Sequence, residues 1–161
     1  MSESHYLKPE INSNAPDFTL DNQKGESINL YQVLESGQNV LLIFYPADMT
    51  PGCTIQLCGV RDLYKEYTDM GVTVLGINHG DAKSHQKFID QQNYPFDILV
   101  DVDKKISEQY GQLKFMFGHK SIKRGVYLID SNKKIILIKQ GQQDNQEILT
   151  LLKNQISSQN S

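Results

Sequence analysis

The chain alternates short apolar runs with stretches whose apolar residues recur at helical spacing. Residues 40–45, "VLLIFY", are apolar without a break, as in a strand that is covered on both faces, and Pro46 follows them. From Pro51 the apolar residues recur every three or four positions as far as Tyr67, which predicts an amphipathic helix. The pattern therefore predicts a buried central strand that is closely followed by a helix.

Strands and helices continue to alternate along the rest of the chain. Strands are predicted at "DFTL", "SINLY", "VTVLGIN", "DILVD", "GVYLID" and "KKIILIKQ". Helices are predicted at "DAKSHQKFIDQQN", which Asp81 caps, at "KKISEQYG", which Gly111 closes, and at "NQEILTLLKNQI". The first two and the last two strands each flank a turn and are expected to form hairpins, whereas "QLKFMFGHKSIK" is expected to be irregular. This order predicts an α/β, thioredoxin-like fold, in which helices flank a central mixed β-sheet with an N-terminal β extension.

Length and composition are those of an ordinary globular protein. The 161 residues are 39% hydrophobic and 22% charged, without repeats, so we expect one domain over residues 1–161. Within it we expect a polar lead over residues 1–14 and a frayed tail over residues 157–161. A net charge of -3 without a basic cluster argues against nucleic acid, and no apolar run is long enough to span a membrane. The N-terminus lacks a signal-peptide pattern, which predicts an unprocessed, cytoplasmic protein.

Both cysteines of the chain lie just after the central strand. Cys53 and Cys58 stand five positions apart, and two cysteines are too few for a disulfide framework in a chain of 161 residues. They therefore indicate a metal site or redox chemistry. Cys53 falls in the first turn of the predicted helix, where unpaired N–H groups and the helix dipole favour the thiolate. Cys53 is thus a candidate nucleophile, although a small buried side chain would also suit this position.

The residues before Cys53 can form a small polar pocket. The hydroxyl of Thr50 is able to donate to the thiolate or to an incoming oxygen. Pro46 and Pro51 restrict the loop and shield it. The alternative interpretation is that Thr50 and Pro51 only start the helix.

The stretch "PADMTPGC", from Pro46 to Cys53, resembles the Pro-x-x-x-Thr-x-x-Cys motif of the peroxiredoxins. With the second cysteine and the following "GVRDLY", it is similar to the Q-type, or bacterioferritin comigratory, branch of that family. "APDFTL", "SHQKFIDQQNYPFDILVD" and "RGVYLID" extend the resemblance over nearly the whole chain. The resemblance implies that Cys53 is the peroxidatic cysteine and Cys58 the resolving cysteine. It also implies that Thr50 orients the peroxide and that the Arg124 guanidinium lies at the pocket.

The same resemblance implies a thiol-dependent peroxidase that reduces hydrogen peroxide and organic hydroperoxides in antioxidant defence. Cys53 would become a sulfenic acid, Cys58 would condense with it to an intramolecular disulfide, and thioredoxin or a similar dithiol protein would reduce the disulfide. No cofactor and no metal are implied, and a monomer is expected. Peroxide cleavage itself needs donors for the leaving oxygen, which Thr50, the Cys53 N–H and Arg124 can supply. Without the resemblance, Arg124 would be interpreted as a solvated residue at a strand edge.

Zinc binding is an alternative use of the two thiols. Cys53 and Cys58, with His79 and His85, nearly have the spacing of a Cys2His2 site, but the intervening segment is far longer than in a zinc finger. We otherwise expect the histidines on the surface and assign none of them a catalytic role. His119 is singled out among them because it lies shortly before Arg124 in the sequence.

Other protein classes fit the thiols less well. A phosphatase-type loop requires an arginine six positions after its nucleophile, where this chain has Gly59. A thioredoxin-type disulfide reductase uses Cys-x-x-Cys, whereas four residues separate these cysteines. A thioredoxin-like domain that only binds a partner is the non-enzymatic alternative, and thiols inert towards peroxide would indicate it.

The spacing of the cysteines predicts a conformational change. Residues five apart on an α-helix lie ~8 to 9 Å apart between Cα atoms. A disulfide rarely spans more than about 7 Å. If both cysteines lie on one helix, oxidation must therefore unwind it from Cys53 to about Val60, where Gly59 weakens it. We expect the strands and the C-terminal helix to stay folded.

Overall fold

A computed structural model of the protein describes residues 9–141 and 143–159, with the side chains of all of these except residues 53, 116 and 157–159. The strands are β1 (Thr19–Asp21), β2 (Ser27–Asn29), β3 (Asn39–Phe44), β4 (Val72–Asn78), β5 (Asp97–Val100), β6 (Leu113–Met116), β7 (His119–Ile122), β8 (Gly125–Ile129) and β9 (Ile135–Gln140). The helices are α1 (Leu30–Glu35), α2 (Pro51–Asp62), α3 (Tyr64–Asp69), α4 (Ala82–Gln92), α5 (Lys105–Gln109) and α6 (Asn145–Gln159).

A five-stranded mixed sheet forms the centre of the molecule, in the order β5-β4-β3-β8-β9. Strands β3, β4 and β5 run parallel, while β8 pairs antiparallel with β3 and β9 antiparallel with β8. The apolar run predicted as a central strand is β3, at the middle of this sheet. The predicted α/β, thioredoxin-like fold with its N-terminal hairpin of β1 and β2 is therefore confirmed.

The two faces of the sheet carry separate hydrophobic cores, because successive side chains of a strand point to opposite faces. On one face Leu41, Ile43 and Tyr45 pack with residues of α2, α3, α4 and α6. On the other face Val40, Leu42 and Phe44 pack with residues of α1, α5 and the chain before β1. Cover on both faces explains why this strand has no polar position between Val40 and Tyr45.

The structure corrects the predicted bounds of helices at three places. "SINLY" is a strand only to Asn29, whose side chain caps the unpredicted helix α1 by accepting from Gln32 N–H. The single helix predicted from Pro51 to Tyr67 is divided at Leu63, whose φ of -106° lies outside the helical range. The tail predicted as frayed over residues 157–161 is helical as far as residue 159, and residues 160 and 161 lie outside the described part.

The prediction that the stretch "QLKFMFGHKSIK" is irregular was wrong. It contains the antiparallel hairpin of β6 and β7. Phe117 and Gly118 turn the chain, and both have positive φ. Phe115 and Phe117 are exposed, so the hairpin lacks the alternation of buried and exposed residues that identifies a strand.

The polar lead is partly tied to the sheet. Asn12 N–H donates to the Ile135 carbonyl at 2.7 Å, and Asn14 forms a bridge with Lys134 beside β9. Residues 1–8 of the predicted lead lie outside the described residues. None of the helices that the structure describes is long and apolar enough to cross a membrane.

Candidate active site

Cys53 is the third residue of α2, which follows the end of β3 after a short loop. Thr50 precedes the helix in extended conformation, and Pro51 occupies the first helical position, where its missing N–H costs nothing. An α-helix leaves the N–H groups of its first turn without partners inside the helix, and its dipole places partial positive charge there. The backbone of Cys53 thus lies where a thiolate is favoured, while its side chain lies outside the described part.

The hydroxyl of Thr50 does not cap α2. It donates to the carbonyl of Ala47 at 3.0 Å instead. With its hydrogen engaged in this way, the oxygen presents acceptor lone pairs rather than the donor that the sequence suggested.

A cleft of about 440 Å³ opens beside this loop. Its described lining residues are Pro46, Lys114, Ile122, Lys123, Arg124, Gln140 and Gly141. Three of the seven are cationic and none is acidic, so the cleft favours an anion or developing negative charge. Arg124 and Pro46, which are 78 positions apart in sequence, meet here because β8 pairs with β3 and Gly125 lies opposite Phe44.

The backbone at Arg124 is held by a buried amide network. Its carbonyl accepts from Gly141 N–H at 2.9 Å. The buried side chain of Gln112 donates to the Lys123 carbonyl at 3.1 Å and accepts from Gln140 at 2.8 Å. A Cβ at Gly125 would lie 2.3 Å from the Gln112 amide nitrogen, so only glycine leaves room for this network.

A buried carboxylate organises the loop between β3 and α2. Asp48 accepts from Tyr45 Oη at 2.6 Å and from Ser84 Oγ at 2.7 Å, and it lies 2.7 Å from His85 Nδ1. Because a carboxylate only accepts, His85 must carry its hydrogen on Nδ1. Asn78 completes the network by donating to the Tyr45 carbonyl at 2.8 Å. The loop is thereby fixed to the end of β4 and to the first turn of α4.

The hydrogen bonds to Asp48 outweigh its burial. Burial alone would raise the pKa of Asp48, but donation from His85, Ser84 and Tyr45 lowers it below its usual value. Asp48 is therefore ionised across the neutral range. The next residue, Met49, has a φ of 63°, a left-handed conformation that strains a residue with a side chain. Such strain persists where the surroundings hold the backbone firmly, as they do here.

His85 corrects the expectation that the histidines lie on the surface, since its side chain is 0% exposed. The carboxylate that explains its burial stands 37 positions away, so the sequence around His85 gave no sign of it. His119 is exposed, and His79 is partly exposed. The pKa of His79 is lowered by burial and, to a smaller extent, by the charge of Lys104.

Cys58 lies on the same helix as Cys53, with its side chain partly buried against the core. Its sulfur is 3.4 Å from Gln92 Oε1 and 3.5 Å from Tyr94 Oη. The helix carries Cys58 away from the first turn, and five residues of α-helix separate Cα atoms by ~8 to 9 Å. In this conformation the two cysteines are too far apart for a disulfide.

Comparison with known proteins identifies the family. The sequence profile of the AhpC/TSA family matches residues 11–138. The chain belongs to the AhpC/TSA family. It is 40% identical over 129 residues to Peroxiredoxin Bcp of Escherichia coli, which covers 75% of this chain and 79% of that protein. It is 35% identical over 131 residues to Peroxiredoxin Bcp of Bacillus subtilis, over 79% of this chain and 82% of that protein.

A solved structure of a similar protein agrees with this chain in fold. The crystal structure of Peroxidoxin BcpB from Mycobacterium tuberculosis matches with a TM-score of 0.84 and 28% identity, covering 91% of this chain and 97% of that one. The predicted resemblance to the Q-type, or Bcp, peroxiredoxins is confirmed. As a peroxiredoxin, the chain is a thiol-dependent peroxidase that acts on peroxides with a thiol reductant.

Of the four residues of the zinc alternative, Cys53 has its side chain outside the described residues. Among those residues, no group of three or more His, Cys, Asp and Glu side chains could hold a metal ion. His85, one of the four residues considered, contacts Asp48 through Nδ1, and its Nε2 faces the Asn78 carbonyl at 3.4 Å.

Proposed function

We propose that the thiolate of Cys53 attacks the terminal oxygen of a hydroperoxide. An S–O bond forms and the O–O bond breaks, so the sulfur is oxidised to a sulfenic acid and the peroxide oxygens are reduced. The second oxygen leaves as an alkoxide or hydroxide and takes a proton from solvent. The observation that carries this assignment is the position of Cys53 in the first turn of α2, directly after the loop that begins at the cationic cleft.

Three groups would assist the attack. The positive end of α2 stabilises the thiolate of Cys53. The Thr50 oxygen, whose hydrogen is given to Ala47, accepts from the peroxide O–H and orients the substrate. The Arg124 guanidinium and the first-turn N–H groups stabilise the charge that develops on the leaving oxygen. Pro46, between the end of β3 and the cleft, shields the site from water.

Cys58 would act as the resolving residue. Its thiol attacks the sulfur of the sulfenic acid, so that an S–S bond forms and water leaves. Since both cysteines lie on α2, this step requires part of the helix to unwind. A dithiol protein such as thioredoxin would then exchange with the disulfide and restore both thiols.

Further expectations from the sequence extend the proposal. We propose that the protein functions as a single-domain monomer in the cytoplasm, without a nucleic-acid or membrane partner. Both thiols of the proposed cycle belong to one chain, so the chemistry needs no second subunit. The net charge of -3 gives no broad attraction for nucleic acid or for an anionic lipid surface.

Peroxide consumption with a thioredoxin system tests the assignment. The wild-type protein should consume hydrogen peroxide and an organic hydroperoxide. Cys53→Ser should consume peroxide only at the background rate, because serine is a far weaker nucleophile. Cys58→Ser is the matched control, since it should still consume about one equivalent of peroxide per chain and stop at the sulfenic acid. Equal turnover by the wild type and Cys53→Ser would refute the role of Cys53.

A further inference from the structure

The segment between the two cysteines is held by a contact from the far end of the chain. Asn145, the first residue of α6, donates from Nδ2 to the carbonyl of Gln56 at 3.2 Å. The same side chain fills the space over Gly59, where a Cβ would lie 1.9 Å from Nδ2. Together these two interactions form the Asn145 contact. Of the hydrogen bonds described for residues 54–57, it is the one that comes from another element.

The amide of Asn145 is available for this contact because a neighbour caps α6. Asp144 accepts from Gln146 N–H at 2.9 Å and from Glu147 N–H at 3.3 Å, which are the hydrogen bonds of an N-cap residue. Asn145 is therefore not needed as a cap, and its side chain reaches across to α2.

The contact depends on the helical form of the segment. In an α-helix the carbonyls point along the axis, and the Gln56 carbonyl faces Asn145 only while α2 is intact. Gly59 offers its bare backbone to Asn145 only in the same conformation. Unwinding residues 53–59 would thus break the Asn145 contact, so the contact stabilises the wound form over the unwound form.

The segment also contains a feature that favours unwinding. Gln56 is 1% exposed, and its Oε1 has no hydrogen-bond partner among the described residues. A buried acceptor without a partner destabilises the wound form, and exposure to water would relieve it. The wound and unwound forms are thereby brought closer in free energy, and a single contact can shift the balance between them.

We propose that Asn145 is a positioning residue for the resolving step, which by holding residues 53–59 in helical form slows condensation of the Cys53 sulfenic acid with Cys58. The inference rests on the proposed roles of Cys53 and Cys58. Attack on peroxide takes place with α2 wound, whereas condensation needs α2 unwound. Loss of the Asn145 contact is therefore expected to leave the first step unchanged and to accelerate the second.

Single-turnover kinetics on the full chain separate the two steps. The reduced protein is mixed with hydrogen peroxide and quenched with a thiol-blocking reagent and a sulfenic-acid trap, and intact mass then distinguishes dithiol, sulfenic acid and disulfide. Asn145→Asp keeps the size of the side chain but removes the donor, and Asn145→Ala removes the side chain beyond Cβ. A hydrogen bond of ordinary strength predicts condensation about two- to tenfold faster in both, with sulfenic acid formation unchanged.

A matched substitution on the same helix controls for changes in α6. Asn154 is exposed, so Asn154→Ala repeats the chemical change away from α2 and should leave both rates as in the wild type. At high peroxide, Asn145→Asp should also accumulate less sulfinic acid than the wild type, because its sulfenic acid persists for less time.

Gly59→Ala examines the same contact from α2. In the wild-type background the added Cβ must displace Asn145, which offsets the strengthening of the helix, whereas in Asn145→Ala only the strengthening remains. Gly59→Ala should therefore slow condensation about fivefold in the Asn145→Ala background and clearly less in the wild type.

Two results would overturn the inference. One is condensation at the wild-type rate in Asn145→Asp, and the other is an equal effect of Gly59→Ala in both backgrounds. The failure of the proposed function is a different observation, because the wild-type protein would then form no Cys53 sulfenic acid or no Cys53–Cys58 disulfide.

Discussion

The chain is held in different ways on the two sides of Cys53. Before it, the loop over residues 46–50 is fixed by Asp48, which accepts from Tyr45 just after β3 and from Ser84 and His85 of α4, and whose side chain is only 6% exposed. After it, Thr54 of α2 is half-buried and Ile55 is 67% exposed. The next turn is held by the Asn145 contact and contains a buried acceptor without a described partner.

This difference matches the two steps of the proposed cycle. Attack on peroxide requires reacting atoms in a fixed arrangement, and small displacements of the assisting groups cost large factors in rate. Condensation requires the opposite, because Cys58 can reach the sulfenic acid only if α2 loses its helical form. The rigid loop therefore serves the first step, and the weakly held helix serves the second.

The largest effect on the attack on peroxide is expected from substitution of Arg124, which lines the cleft beside the rigid loop. Arg124→Lys keeps the charge but loses the planar fork of donors, so sulfenic acid formation should be slower by on the order of 100-fold. Arg61→Lys is the matched control, because Arg61 bonds to Asp62 and to the Gln92 carbonyl and not to the cleft. Stopped single-turnover reactions with peroxide give the rate. If Arg124→Lys and Arg61→Lys react alike, Arg124 belongs to the surface.

Thr50→Val removes the hydroxyl while keeping the shape of the side chain. Loss of the acceptor that orients the peroxide should slow sulfenic acid formation by a factor approaching 100. Thr68→Val deletes an equivalent hydroxyl, since Thr68 also donates to a carbonyl three positions earlier, at 2.9 Å, but on α3. If both substitutions had the same small effect on sulfenic acid formation, Thr50 would have no part in orienting the peroxide and would only start α2.

Asp48→Asn tests whether the loop has to be fixed. The substitution removes the charge from three hydrogen bonds, so the free energy of unfolding should fall by about 2–3 kcal/mol, and misplacement of the loop should slow attack about tenfold. Asp90→Asn, at an exposed position of α4, is the control for both measurements. Urea unfolding and single-turnover rates that match those of Asp90→Asn would show that the network has no part in positioning.

The lowered pKa of Asp48 predicts an acid dependence of stability. A carboxyl whose pKa is lower in the folded state stabilises the protein above its unfolded pKa of about 3.9, and this stabilisation is lost as the pH falls through the folded pKa. The free energy of unfolding of the wild type should therefore fall more steeply below about pH 4 than that of Asp48→Asn. Parallel curves for the two proteins in acid would contradict the assignment.

Gln56→Met tests whether α2 after Cys53 is weakly held. This substitution removes the buried acceptor without a described partner, so it should stabilise the wound form of α2 and slow condensation about threefold. Tyr67→Phe is the control, because the Tyr67 hydroxyl is also buried without a described partner and burial raises its pKa to about 12, but it lies on α3. Tyr67→Phe should alter stability alone. An equal effect of both on condensation would point to general stability as the cause.

The parts of this molecule that the sequence predicts are those with a local signal. Strands β3 and β4 follow from uninterrupted apolar runs, and Asp81 caps α4 as expected by accepting from Ser84 N–H. The motif around Thr50 and Cys53 indicates the chemistry for the same reason. The hairpin of β6 and β7 was missed because it is exposed and shows no alternation.

The contacts that hold the site could not be predicted, since their partners are distant in sequence. His85 meets Asp48 across 37 positions, and Asn145 meets Gln56 across 89. Each partner alone has an ordinary explanation, as a histidine in an amphipathic helix or an asparagine at a helix start. Only the packing of α4 and α6 against the sheet beside α2 gives them their roles.

Amide hydrogen exchange on the reduced protein and on the verified Cys53–Cys58 disulfide tests directly whether α2 unwinds on oxidation. We expect residues 53–60 to lose protection on oxidation, while β3, β8 and α6 keep theirs. In Cys58→Ser treated with one equivalent of peroxide, the same segment should stay protected. Undiminished protection of residues 53–60 in the disulfide form would contradict the unwinding of α2, because an intact helix cannot hold the two cysteines within bonding distance.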